Sequence, residues 1–348
     1  MVSNKQHSTN FQTGFSLVEI LVGLVIGLLA TLVIMQVFSV FEGQKRTTTG
    51  SADAQTNGSI ALYSLSRELK GAGYGLLPVA NSAIKCDAPN IDASAAANGV
   101  TSLSPVTIVD GAGASDEITM RYGNSATAGI PMPISLMVGT LASVDNNLYC
   151  GTGVGVVLTS ANTCNVTSIV PAANTTDITI GVASSATAGN ELACLGQWSE
   201  VTFRVNADNL ERNGTPVVAD IVNMQAQYGI SNAANSNQIV QWVDASGAWA
   251  APTTVNRNRI KALRIAVVAR NGIAEKENVS EACSSLTTNT TTGICAWSGP
   301  SAQPAIASPA PQITLVDDSD GTSWQRYRYR VFETIVPLRN VIWSRETL

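Results

Sequence analysis

Histidine is all but missing from this chain: its 348 residues hold one, His7. A chain with no second imidazole cannot build a Ser-His-Asp triad, a Cys-His pair or a histidine-based metal site. Charge is scarce as well, at 13%, and aromatics make up 5%. Lysine and arginine total 20 against 25 aspartates and glutamates, so the net charge is −5. Phosphate contact needs clustered basic residues, so an acidic, lysine-poor chain is not expected to bind nucleic acid by electrostatics. No CxxC occurs, which removes the usual zinc and thioredoxin-type spacings. No metal and no cofactor is expected. With the common catalytic constellations gone, neither is enzymatic activity.

What the chain does hold is an even set of cysteines: Cys86, Cys150, Cys164, Cys194, Cys283 and Cys295. Widely spaced and without histidine, they read as three disulfides formed in an oxidising compartment. Six cysteines allow 15 connectivities. Cys283 and Cys295 bracket a polar Thr/Asn-rich stretch and are expected to pair as a local staple. Cys150 with Cys164 is the next expectation, which leaves Cys86 for Cys194.

One long hydrophobic run, residues 15–41 (FSLVEILVGLVIGLLATLVIMQVFSVF), carries a single charge, Glu19. As a helix it would be roughly 40 Å long, more than the ~30 Å hydrocarbon core of a bilayer. It is longer than the apolar core of a secretory signal, and no small-residue cleavage site follows it. A single membrane span is expected, with the cysteine-bearing remainder outside the cytoplasm. Helical character continues through residues 52–70, where Ala54, Ala61, Leu65, Leu69 and Ala72 recur on one face. Gly71, Gly73 and Gly75, then Pro78, end the pattern. If Gly43, Gly50 and Gly58 are tolerated, one helix runs from about residue 16 to 70.

Beyond residue 75 short β-rich runs alternate with Gly, Asn, Ser and Pro clusters. Strands are expected at 105–109, 117–122, 155–158, 177–181, 201–206, 225–230, 239–243, 260–268 and 327–337. Residues 218–225 read as a short helix, and 300–311 (PSAQPAIASPAP) as an exposed loop.

Residues 14–19 (GFSLVE), opening the apolar helix behind a short polar leader, resemble the processing signal of type IV pilins. That resemblance implies cleavage by a prepilin peptidase between Gly14 and Phe15, N-methylation of Phe15, and Glu19 as the family's assembly glutamate. Residues 65–75 (LSRELKGAGYG), 218–229 (VADIVNMQAQYG), Trp242, 260–264 (IKALR) and 327–343 (YRYRVFETIVPLRNVIW) are similar to PilW-type minor pilins, which also resemble the J-type minor pseudopilins of type II secretion. Residues 81–193 carry no such likeness. The implied fold is α+β, with a long N-terminal helix on antiparallel β-sheet and disulfide-stapled loops. The implied divisions are a leader (1–14), a membrane and assembly helix (15–41), its amphipathic continuation (42–75) and a β-rich periplasmic domain (76–348). The implied role is a structural subunit near the pilus tip that helps start assembly. Its partners would be other minor pilins, the major pilin, the prepilin peptidase, the inner membrane and a tip adhesin. A minor pseudopilin of type II secretion is the alternative, and a membrane-anchored periplasmic enzyme a more distant one.

An ionised carboxylate in hydrocarbon is expensive unless paired. Cleavage after Gly14 would create a cation, the α-ammonium of Phe15, and a neighbouring subunit's amine is a natural partner for Glu19. Gly23 and Gly27 form a GxxxG that permits close helix approach. Arg326, Arg328 and Arg330 alternate with Tyr327 and Tyr329, which on a strand puts tyrosines on one face and a solvated arginine face on the other. Residues 316–321 (VDDSDG) resemble part of a calcium loop but start on Val316, with Glu333 too far beyond, so a solvated turn is expected.

Overall fold

The structure, a computed structural model, describes residues 14–76, 86, 88–146, 150–160, 163–173, 176–284, 292–297 and 310–342. The expected leader therefore lies, but for Gly14, outside the described residues, as does His7. The chain divides into two compact units, Met1–Ser51 and Ala52–Leu348. Helix α1 (Leu17–Gly71) contributes to both. The three glycines at 43, 50 and 58 do not interrupt it.

In the first unit α1 carries apolar side chains on every face. Its most apolar stretch is not buried by the described residues of the chain itself. Among the described residues it is the one helix long and apolar enough to cross a membrane. A helix suits that setting because its backbone polar groups are satisfied within the segment. Its lone hydroxyl before residue 39 that could be stranded there, on Thr31, donates back to the Leu28 carbonyl at 2.8 Å.

The second unit begins on α1's amphipathic turns. Ala54, Ala61, Leu65, Leu69 and Ala72 are each at most 2% exposed, so the 3.6-residue periodicity is the face that packs. Sixteen strands follow among the described residues. They are β1 (Ala88–Ile91), β2 (Val106–Val109), β3 (Glu117–Tyr122), β4 (Pro131–Val138), β5 (Leu141–Val144), β6 (Gly153–Ser160), β7 (Thr163–Pro171) and β8 (Asp177–Ile180). Then come β9 (Glu191–Gly196), β10 (Ser199–Asn206), β11 (Asn209–Arg212), β12 (Thr215–Ala219), β13 (Ile221–Ser231), β14 (Ile239–Val243), β15 (Ile260–Arg270) and β16 (Tyr329–Pro337). Short helices α2 (Ala93–Ala97), α3 (Thr254–Arg257) and α4 (Arg339–Ile342) punctuate them.

Two antiparallel sheets, β12-β11-β10-β3-β2 and β14-β13-β15-β16, share one core with α1. Leu263, Ile265 and Val267 of β15 and Met224, Ala226 and Tyr228 of β13 belong to that core. Alternation along each strand sends the intervening residues to the other face.

Strands β3 and β10 are neighbours, Tyr122 opposite Ser199, although residues 123–198 separate them in sequence. That insertion is a barrel of its own. Its strands run β7-β6-β9-β4-β5-β8, and β8 pairs again with β7, closing the sheet. Closure removes the edges that an open sheet of this size would expose. Side chains from all six strands meet inside, among them Ile134, Val144, Val157, Ile169, Ile178 and Leu192. On the outside, β1 adds in parallel to β7, and Leu76, Ala95, Leu103, Val156 and Leu195 form a second cluster.

The architecture is α+β, as expected, with three sheets among the described residues in place of one. Each of the nine expected strands is present. Residues 218–225, expected as a short helix, instead end β12 and begin β13, turning at Asp220 with φ +57°. The apolar residues there fill strand positions in the core, and tertiary packing overrides the local helical spacing. Of the expected exposed loop at 300–311, residues 300–309 lie outside the described residues, while Ala310 and Pro311 are buried.

The disulfides correct two expectations. Cys283 pairs with Cys295, as read. Cys86, however, pairs with Cys164, and Cys150 with Cys194. The barrel wall is the reason. Cys150 and Cys194 sit in the cluster inside it, and Cys86 and Cys164 in the cluster outside it. Either expected pair, Cys150–Cys164 or Cys86–Cys194, would have to cross the sheet.

Candidate functional site

The residues singled out near the N-terminus share the start of α1. Gly14 and Phe15 precede the helix, and Phe15 is 80% exposed. The helix engages at once, with the Ile20 N–H donating to the Ser16 carbonyl at 3.1 Å. Glu19 lies in its first turn, where a carboxylate meets the positive end of the helix dipole. Gly23 and Gly27 follow one turn apart. A Cβ built on either meets nothing within 4 Å. Among the described residues nothing needs those glycines bare.

The other end of α1 is held tightly. Gly58 faces β16 so closely that a Cβ on it would fall 2.1 Å from the Phe332 ring. Glu68 accepts from the Tyr122 hydroxyl at 3.1 Å and from Arg212 at 3.0 Å, tying the helix to β3 and β11. The Asn340 amide donates to the carbonyls of Gly71 and Ala72 at 3.2 and 3.1 Å. These are carbonyls that the end of a helix leaves without intrahelical partners. The C-terminal segment thus clamps α1 at two levels, through Phe332 and Asn340.

The face of the four-stranded sheet turned from α1 is polar, and it is buried. Asn223, Gln225 and Gln227 alternate along β13 at 1%, 4% and 0% exposure. Asn223 donates to Gly113 O at 3.0 Å, Gln225 to Ala114 O at 2.7 Å, and Gln227 to Asp244 at 2.6 Å. Arg264 donates to Gln227 and lies between two tryptophans, its guanidinium carbon 5.3 Å from the Trp242 ring centre and 5.0 Å from that of Trp297. Burial pushes the Arg264 guanidinium down to about 10, against the pull of Asp244 and Glu333. Asp116 accepts from Gly111 N–H at 2.8 Å and Ala226 N–H at 2.7 Å. Its burial raises it to about 7, past the opposing effect of those two hydrogen bonds.

Of the arginine–tyrosine run, Arg326 falls in a 3-10 turn, Tyr327 and Arg328 follow it, and β16 takes in Tyr329 and Arg330 alone, so the expected alternation on one strand does not form. Arg326 donates to the Glu275 carbonyl at 2.7 Å, and Arg328 pairs with the Glu275 carboxylate at 2.9 Å. Tyr327 is buried beneath Arg270, whose guanidinium stands 4.3 Å from its ring centre. In the turn at 316–321 the Asp318 carboxylate is taken by Arg270 and the Tyr327 hydroxyl. Asp317 accepts from Trp324 N–H and Asp320 from Thr322 N–H. The aspartates are used by the fold, which is the geometry of a turn.

Sequence reading missed the Gly58–Phe332 contact, the Asn340 cap, the amide row on β13 and the barrel. The amides at 223, 225 and 227 do carry a period-of-two signal. The barrel strand β7 (TCNVTSIVP) alternates only loosely among hydroxyl residues.

The fold and these contacts define a class first: an α+β protein with an exposed, apolar N-terminal helix whose distal turns are built into a disulfide-held β domain. The family model described as Type IV Pilus-assembly protein W matches residues 182–340, a little under half of the chain. The resemblance to PilW-type proteins holds over that stretch, and it supports a pilus-related minor pilin. It takes in β13, β15, β16 and the Asn340 cap, and leaves out α1 and most of the barrel. The chain is also similar to a type IV-like pilin from Thermus thermophilus, at 11% identity over 82% of this chain and 97% of that one, with a TM-score of 0.33. No curated protein matches. The apolar helix near the N-terminus fits a membrane anchor.

Proposed function

We propose that this protein is a minor pilin of the type IV pilus, a non-catalytic subunit that helps initiate assembly and resides near the tip. In this reading a prepilin peptidase cuts between Gly14 and Phe15 and Phe15 is N-methylated. The subunit waits in the inner membrane with its β domain in the periplasm, then passes into the pilus beside other minor pilins and the major pilin. The observation that carries the reading is the placement of Glu19. It stands in the first turn of an apolar helix that its own chain leaves uncovered, four residues from the amine that cleavage would create. In a low-dielectric setting the two charges relieve each other's cost only when they meet closely. Gly23 and Gly27 leave a strip of bare backbone for a neighbouring helix. The PilW match favours a pilus over a secretion system.

The test is Glu19→Val in a strain with no second copy of the gene. The variant helix suits the bilayer better, so insertion and cleavage should survive. The protein should accumulate, processed, in membranes and be absent from sheared pili, with piliation reduced. Glu19→Asp should be intermediate, because its side chain reaches less far. Normal piliation with Glu19→Val removes Glu19 from the mechanism. An intact N-terminus beginning at residue 1, read by mass spectrometry, removes the processing step.

A further inference from the structure

The three disulfides differ in access. Cys86, Cys164, Cys150 and Cys194 are at most 4% exposed. Cys283 and Cys295 are half-buried, and Cys283 lines an open cleft of about 240 Å³ together with Ile294, Leu315 and Trp324. A thiol reagent can reach this bond while the barrel wall and its outer cluster shield the other two. Access governs which disulfide exchanges first.

The accessible bond also holds something in place. It sets the Cα atoms of Cys283 and Cys295 5.0 Å apart, beside a bridge between Ala282 and Ile294. Two residues further on, the Trp297 ring lies over Arg264 at 5.0 Å, and the Trp297 backbone N–H donates to the Glu333 carboxylate at 2.8 Å. Trp297 adopts φ +42°, a region that a bulky side chain occupies only when its surroundings impose it. The covalent tether behind it is the Cys283–Cys295 bond, beside a hydrogen bond from the Ile294 N–H to the Glu281 carbonyl at 3.1 Å. Beneath it, Arg264 also donates to Gln227 and lies against the Trp242 ring.

We propose that Cys283–Cys295 is a redox-responsive clasp. Its reduction by a dithiol frees Trp297 and uncovers Arg264 on the outer face of the four-stranded sheet, while the sheet and the barrel stay folded. In the exchange a thiolate of the dithiol attacks one cysteine sulfur. A mixed disulfide forms, and the other cysteine leaves as a thiolate. The second thiol of the reagent then attacks the mixed disulfide. The reagent ends as its own disulfide, having given two electrons, and the protein ends with two thiols, the protons coming from the reagent. Without the tether, the left-handed backbone at Trp297 relaxes and the tryptophan leaves the guanidinium.

The test uses the folded full chain in detergent. It is titrated with dithiothreitol without denaturant, quenched with an alkylating agent and mapped by mass spectrometry, with hydroxyl-radical labelling of tryptophan in parallel. Cys283 and Cys295 should be labelled at about tenfold less dithiol than the other four cysteines. Oxidation of Trp297 should rise severalfold in the same samples, with that of Trp198 and Trp249 unchanged. The Cys283→Ser, Cys295→Ser double variant should show the raised Trp297 labelling with no dithiol present. Release of all six thiols together overturns the proposal. So does Trp297 staying protected once Cys283 and Cys295 are reduced, an arm that holds even if the double variant fails to fold.

Discussion

Asn340, in the last described helix of the chain, donates its side-chain amide to the carbonyl of Ala72 at the end of the first, 3.1 Å away. Residues 268 positions apart thus close one helix end. The same amide reaches Gly71 O at 3.2 Å, so Asn340 serves carbonyls that have no partner further along α1.

Asn340→Ala should lower stability by about 1 kcal/mol, the worth of a helix-capping hydrogen bond. Asn340→Asp should cost more at neutral pH, because a carboxylate then faces carbonyl oxygens at the negative end of the helix dipole. Thermal unfolding of the two variants at pH 7 checks the order. Equal losses would mean that the dipole and the carbonyls do not act on this position.

Gly58→Ala should destabilise even though alanine favours a helix by roughly 0.8–1 kcal/mol. The new Cβ would sit 2.1 Å from the Phe332 ring, so β16 or the helix must shift. Overpacking of this kind costs about 1–3 kcal/mol. Phe332→Leu should recover part of the loss in the double variant, and a double-mutant cycle by urea unfolding measures that coupling. Additive losses would place the clash elsewhere.

Asp116 should make stability depend on pH. Burial raises its carboxyl in the folded state from the ordinary 3.8 to about 7. A raised folded value means the folded state holds the proton more tightly. The associated stability is complete below the unfolded value and is lost as pH rises through about 7. Unfolding free energy should therefore decline between pH 4 and 7. Asp116→Asn should flatten that decline while weakening the protein throughout, since an amide cannot accept from both Gly111 and Ala226. Denaturant titrations across that range read both effects.

Peptide mapping under non-reducing conditions should recover Cys86–Cys164 and Cys150–Cys194 crosslinks, and no Cys150–Cys164 peptide. Replacing Cys150 and Cys194 by alanine removes the bond inside the barrel and should cost about 2–5 kcal/mol. Proteolysis of that variant should begin within residues 123–198. Cleavage starting elsewhere would mean that the bond does not hold the barrel.

Local signals in the chain were enough for the elements that depend on near neighbours. The membrane-length run, the packed face of Ala54, Ala61, Leu65 and Leu69, the nine strands and the twelve-residue staple of Cys283 and Cys295 all follow from periodicity or short spacing. The pattern around Gly14 and Glu19 is likewise a matter of consecutive residues. Tertiary structure decided what depends on which side of a sheet a residue reaches. Cys164 is 14 positions from Cys150 yet lies across the barrel wall from it, and its partner Cys86 is 78 positions away. Closure of the barrel puts that wall there, and closure rests on β8 meeting β7 as well as β5. Gly58 reads as a weak point in a helix until Phe332 is folded against it. Asn340 carries no local signal of its role until the end of α1 arrives beneath it. Each of these contacts joins residues far apart in the chain, and spacing along a sequence carries no information about which distant strand will lie alongside.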